Sequence, residues 1–84
     1  MSSLTYHIHV HFFAVLREQA GCSSLTVDTS TCTPAELYTE LQAEHPLTFP
    51  AVLLRVAINE RYADMMTPLA AGDRVVFIPP VAGG

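Results

Sequence analysis

An 84-residue chain is one small domain, long enough to fold on a core of its own. Half of its residues are apolar and only 14% are charged, a balance that leaves apolar surface over and points to a partner. The net charge is −4, with four arginines and no lysine; this gives no basic patch for nucleic acid, and no apolar run approaches the length of a membrane span.

The two cysteines, Cys22 and Cys32, match no metal spacing and read as reduced thiols. No basic stretch followed by an apolar core opens the sequence, so a cytoplasmic protein is expected.

Leu4 to Phe13 alternates as a strand does: Tyr6, Ile8, Val10 and Phe12 on one face, His7, His9, His11 and Phe13 on the other. Three histidines on one strand face invite a metal reading. No cysteine or carboxylate nearby in sequence completes such a site, so no metal is expected. Ala14 to Ala20 suits a short helix, with Gly21 in place as its C-cap. Leu25 to Val27 is a second short strand, able to pair with the first across that helical turn.

Thr33-Pro34-Ala35-Glu36 is a helix start: an N-cap threonine, proline at the first helical position, and glutamate three residues after the cap. The helix is predicted to run to about Glu44, with Leu37, Tyr38 and Leu41 as its apolar stripe. Glu36, Glu40 and Glu44 repeat at four-residue spacing and read as the solvated face rather than as paired catalytic carboxylates. Pro46 and Pro50 bound a loop. Val52 to Ile58 is apolar enough for a buried strand, Asn59-Glu60 suits a turn, and Arg61 to Ala63 returns briefly. The order β, short helix, β, longer helix, β, short β, β predicts an α+β domain in which one sheet is covered by the longer helix. Phe13 and Ile78 are candidates for a docking patch on that domain.

Gly72-Asp73 precedes a last strand, Arg74-Val75-Val76-Phe77-Ile78. Pro79 and Pro80 cannot continue it, because neither donates a backbone hydrogen bond and each fixes its own φ. Val81, Ala82, Gly83 and Gly84 then shrink the side chains to nothing. Fully extended, residues 79–84 reach roughly 20 Å. A Gly-Gly end is narrow enough to thread a channel closed to any side chain, and the reading is a tail that presents the Gly84 carboxyl group inside another protein's active site. No phosphate loop, Cys-x-x-Cys or other catalytic constellation stands out.

Three stretches carry a resemblance: Val10-His11-Phe12-Phe13-Ala14-Val15-Leu16-Arg17-Glu18-Gln19-Ala20-Gly21, Val56-Ala57-Ile58-Asn59-Glu60, and Leu69 to Gly84 with its Pro-Pro-Val-x-Gly-Gly ending. Together they resemble the small subunit of molybdopterin synthase, within the ubiquitin-like sulfur-carrier superfamily. The resemblance implies a ubiquitin-like β-grasp fold, with a mixed sheet on one main helix, over residues 1–84, and a flexible functional tail over residues 79–84.

It also implies a carrier role. Gly84 is adenylated by an ATP-using, ubiquitin-activating-like adenylyltransferase and converted by a sulfur-donating enzyme to a thiocarboxylate. The tail then enters the large subunit and gives sulfur to cyclic pyranopterin monophosphate, building the molybdopterin dithiolene. Gly83 is the slender neighbour of the reacting residue. Phe13, Arg17, Phe77, Ile78, Pro79, Pro80, Val81 and Ala82 match positions that meet partners. On this reading the chain binds no cofactor itself and has no turnover of its own. Ile78 stands where some members of the family have a second aromatic, and the histidine-rich strand and the absence of lysine are departures. The alternatives are a sulfur carrier for thiamine thiazole or cysteine synthesis, a ubiquitin-like protein modifier joined through Gly84, and, most remote, a small metal-binding protein.

Overall fold

The computed structural model describes residues 5–80; residues 1–4 and 81–84 lie outside the description. Strand β1 (Tyr6–Phe12) follows the alternation of its sequence, with Ile8, Val10 and Phe12 buried and His7 and His9 exposed. Helix α1 (Val15–Ala20) is closed by Gly21, whose φ of 79° only glycine adopts freely and whose N–H donates to the Arg17 carbonyl. Strand β2 (Ser24–Thr29) is longer than the three residues expected and runs antiparallel to β1, from Tyr6 opposite Thr29 to His11 opposite Ser24.

Helix α2 (Pro34–Glu44) starts as its sequence dictates. The Thr33 hydroxyl accepts the Glu36 N–H at 3.2 Å. The Glu36 carboxylate reaches back to accept the Cys32 N–H at 2.8 Å, one residue before the cap. Leu37, Tyr38 and Leu41 are buried, while Glu36 and Glu44 are exposed and Glu40 is half-buried, so the glutamate row is a solvated face.

The stretch expected as one strand from Val52 to Ile58 divides. Ala51–Leu53 is a single 3₁₀ turn, and strand β3 covers only Arg55–Ile58. After Pro50 the chain coils for one turn, leaving Val52 89% exposed, and only then enters the sheet through the buried Leu54. Apolar composition is the same for a buried strand and for exposed apolar residues on a turn.

Strand β4 (Arg61–Ala63) follows a two-residue turn in which Asn59 and Glu60 have φ of 53° and 71°. Positive φ at both central residues is the hairpin turn whose twist matches that of the strands, and asparagine tolerates it best among non-glycine residues. Strand β5 (Arg74–Ile78) lies between β1 and β3, giving the sheet order β2-β1-β5-β3-β4. Among the described residues only the β1–β5 pair is parallel; the β1–β2, β3–β4 and β3–β5 pairs are antiparallel.

This mixed sheet with one main helix across a face is the ubiquitin-like β-grasp arrangement. Ile8, Val10, Phe12, Val56, Val75 and Phe77 meet Leu37, Tyr38 and Leu41 in one core. The rings of Tyr38 and Phe77 lie 5.3 Å apart at a tilt of 55°, and the Tyr38 hydroxyl donates to the Phe49 carbonyl at 2.8 Å. Burial pushes the Tyr38 phenol up from its usual range. Leu47, inside the loop between Pro46 and Pro50, is also buried. Among the described residues, no helix is long and apolar enough to cross a membrane, and Cys22 and Cys32 are free thiols.

Candidate functional site

The site is organised by the way the chain leaves the sheet. Phe77 faces the core and is fully buried. Ile78 is half-exposed, Pro79 is buried, and Pro80 is exposed. The strand therefore ends at Ile78, and the chain comes to the surface at Pro80. Neither proline can donate to a neighbouring strand, so pairing stops there for a covalent reason. Val81, Ala82, Gly83 and Gly84, the residues expected to carry the tail and its chemistry, lie outside the described residues.

Beside this exit is an open groove of about 530 Å³, lined by Phe13, Ala14, Val15, Phe49, Ile78, Pro79 and Pro80. The sequence expectation named Phe13 and Ile78 as candidates for a docking patch, and the fold brings both to this groove. The parallel pairing of β1 with β5, with Phe12 opposite Phe77, puts the residues following each strand side by side. Phe13 is 52% exposed, a large apolar ring left in water at the rim. A second, smaller groove lies on the other side of the exit, where Arg55, Tyr62 and Ala63 also meet Ile78, Pro79 and Pro80.

Phe77 was expected among the partner-facing residues. Its ring points inward, and its part is to anchor β5 beneath the exit by packing on Tyr38. Arg17 is exposed on α1, and no ion pair holds it among the described residues. Three groove residues were not singled out from the sequence. Phe49 had a signal, being an aromatic inside a proline-bounded loop. Val15 had none beyond its apolarity. Ala14 takes φ 52° and ψ −125°, a conformation dominated by glycine, and nothing in its identity announces that.

The base of the exit is held from the far end of β5. Asn59 donates from Nδ2 to Asp73 Oδ1 at 2.9 Å and accepts the Arg74 N–H on Oδ1 at 3.0 Å. Asp73 Oδ2 in turn accepts the Ala70 N–H at 2.8 Å. These contacts fix where β5 begins, and hence which residue reaches the rim.

The histidines of β1 line the sheet face away from α2. His7 contacts the Asp28 carboxylate, His9 Nδ1 lies 3.1 Å from the Thr26 hydroxyl, and His11 is half-buried. Among the described residues, no group of three or more His, Cys, Asp or Glu side chains is placed to hold a metal ion.

A β-grasp sheet whose last strand leads out through paired prolines, beside an apolar groove, places the molecule among the ubiquitin-like proteins. Residues 10–84 match the ThiS family, and the chain belongs to that family. It is 38% identical over 82 residues to the molybdopterin synthase sulfur carrier subunit of Drosophila simulans, covering 93% of this chain and 91% of that one. Among solved structures, it superimposes on small archaeal modifier protein 1 of Haloferax volcanii with a TM-score of 0.77 at 28% identity, covering 93% of this chain and 99% of that chain. The complex of subunits 1 and 2 of the molybdopterin-converting factor from Helicobacter pylori gives a TM-score of 0.65 at 26% identity, over 93% of this chain and 99% of that chain.

Proposed function

We propose that this chain is the sulfur-carrier subunit of a molybdopterin synthase, with Gly84 as the residue that carries sulfur. The observation that carries the reading is the exit itself: a sheet strand ends on two prolines beside an apolar groove, and the sequence beyond narrows to Gly83-Gly84. Relatives named molybdopterin synthase sulfur carrier subunit, similar over nearly the whole chain, support it.

A carboxylate is a poor electrophile. An adenylyltransferase of the ubiquitin-activating type joins the Gly84 carboxylate to the α-phosphorus of ATP, and pyrophosphate leaves. The terminal sulfur of a donor enzyme's persulfide then attacks the acyl carbon and AMP leaves; a thiol cleaves the resulting acyl disulfide, ending as a disulfide with the donor's cysteine, so that the tail ends in a thiocarboxylate. That sulfur, anionic and nucleophilic as a thiolate is, attacks a carbon of cyclic pyranopterin monophosphate within the large subunit and displaces an oxygen leaving group; water then cleaves the acyl–sulfur bond, returning the carboxylate, and a second loaded chain supplies the second sulfur of the dithiolene. The chain supplies no acid, base or cofactor of its own, and its part is non-catalytic. Glycine at 83 and 84 lets the backbone approach bound nucleotide closely. The groove with Phe13 and Ile78, together with Arg17, docks the large subunit, a pairing supported by the likeness to one subunit of a two-subunit converting factor. The compartment is the cytoplasm.

The test uses the chain carrying a thiocarboxylate at Gly84, a molybdopterin synthase large subunit and the cyclic pyranopterin precursor. Dithiolene product that disappears when the sulfur is omitted is the expected result. Verified thiocarboxylate that gives no product and does not bind the large subunit overturns the pathway assignment. A second reading, attachment to other proteins through Gly84, is favoured by the likeness to small archaeal modifier protein 1. Isopeptide-linked adducts on other proteins, formed with ATP and the activating enzyme, distinguish it.

A further inference from the structure

Residues 45–50 belong to no helix or strand, yet Leu47, Thr48 and Phe49 are each held by a side chain from a helix. Gln42 Nε2 of α2 donates to the Leu47 carbonyl at 3.1 Å, and the Tyr38 hydroxyl donates to the Phe49 carbonyl at 2.8 Å. Between them, Gln19 of α1 takes Thr48 with both ends of its amide. Its Oε1 accepts the Thr48 N–H at 3.0 Å, and its Nε2 donates to the Thr48 hydroxyl at 3.0 Å. This tie joins positions 29 residues apart, and it does so at the exit groove, which Val15 of α1 and Phe49 of the loop both line.

The core has other holds on the loop. Leu47 is its buried anchor and Tyr38 secures the Phe49 carbonyl, whereas Thr48 is exposed and Gln19 half-buried. Neutral hydrogen bonds open to water contribute little net stability, because water replaces them when they are lost. What the Gln19 amide adds is orientation. With Thr48 held before it and its own carbonyl held after it, the backbone of Phe49 is fixed on both sides. Pro50 confines it further, since a residue before proline is restricted to extended angles.

We infer that Gln19 is a positioning residue for docking: by fixing Thr48 it presents the Phe49 ring as a preset wall of the exit groove, and that ring contacts the large subunit. The inference rests on the carrier reading above and extends its docking groove to the loop after α2. Half-buried and aromatic, Phe49 is the kind of residue that carries interface contacts. A ring already set meets its partner without an ordering cost, which for one side chain corresponds to roughly three- to tenfold in affinity.

The test titrates a molybdopterin synthase large subunit with the full chain and its variants by calorimetry, and follows melting temperature and Thr48 amide exchange on the free chains. Gln19→Ala removes both hydrogen bonds. Gln19→Glu keeps the shape and both contacts, because a carboxylate accepts the Thr48 N–H and the Thr48 hydroxyl turns to donate. In Gln19→Ala a nearly unchanged melting temperature, faster Thr48 exchange and roughly three- to tenfold weaker binding are expected. Gln19→Glu should restore both protection and affinity. In a Phe49→Ala chain, with no ring left to set, Gln19→Ala should weaken binding no further. Unchanged Thr48 exchange or wild-type affinity in Gln19→Ala overturns the inference, as does a loss that Gln19→Glu does not restore or that persists undiminished in Phe49→Ala. If Phe49→Ala does not fold, the two Gln19 variants decide. Failure of the unaltered chain to bind the large subunit is a separate result, which overturns the carrier reading and this inference with it.

Discussion

Asn59 and Asp73 are joined side chain to side chain at 2.9 Å across 14 residues of sequence, and the same Asn59 amide accepts the N–H of Arg74. A turn residue of the β3–β4 hairpin thus sets the first residue of β5, the strand that flanks β3 on the side away from β4. Asn59 does this at φ 53°, where alanine is strained and glycine is not. Replacing Asn59 by Ala is expected to destabilise the fold by about 2–3 kcal/mol, combining lost hydrogen bonds with backbone strain. Asn59→Gly should cost less, because only the hydrogen bonds are lost. Urea unfolding of the three proteins checks the order; equal costs for Ala and Gly would remove the strain contribution.

Ala14 is the opposite case. Its φ of 52° and ψ of −125° are held at the rim of the groove by Phe13 and Val15 on either side. Relief of a strained non-glycine residue predicts that Ala14→Gly raises stability by about 1 kcal/mol, less whatever the freer unfolded chain takes back. A higher urea midpoint with an unchanged slope is the expected observation. If the midpoint falls, the conformation is not a source of strain.

Tyr38 gives the fold an alkaline limit. Its phenol is raised by burial and donates to the Phe49 carbonyl. A phenol whose pKa is higher folded than unfolded contributes stability that is complete below the unfolded value of about 10 and is lost as pH rises through the folded value. Tyr38→Phe is expected to cost about 1–2 kcal/mol at neutral pH, since the Phe49 carbonyl loses its donor. It should also flatten the decline of stability above about pH 10. Unfolding free energy followed across that range tests both effects.

Docking and folding should separate at Phe13. An aromatic more than half exposed contributes little to the core, so Phe13→Ala is expected to leave the melting temperature nearly unchanged. As an anchor in an interface, its loss should weaken binding to a molybdopterin synthase large subunit by about 2 kcal/mol, roughly thirtyfold. Calorimetric titration of folded wild-type and variant chains makes the comparison, and an unchanged affinity would remove Phe13 from the interface.

Much of this architecture was legible because single residues announced it. Thr33-Pro34-Ala35-Glu36 marked a helix start that the hydrogen bonds reproduce, and the alternation from Tyr6 to Phe12 marked a strand buried on one side. Chain-long similarity brought out the fold name. What the sequence did not show depends on contacts distant along the chain or on backbone angles. Val52 and Leu53 are as apolar as strand residues, yet they sit exposed on a 3₁₀ turn. Phe77 and Ile78 are adjacent and similar in composition, and only the register of β5 decides that one enters the core while the other reaches the groove. The joining of Phe49 to Phe13 in one groove required the whole fold.

The position of β5 also governs when the molecule can be finished. It lies between β1 and β3, so a growing chain that has not yet reached Arg74–Ile78 has no means of joining the two halves of its sheet. Until then, β1 and β3 each present an unpaired edge, a template for wrong pairings. Once β5 enters, one segment closes both gaps together, and the chain has been synthesised as far as the prolines at the exit. The closed sheet therefore requires a chain synthesised at least as far as Ile78, the residue at the base of the exit.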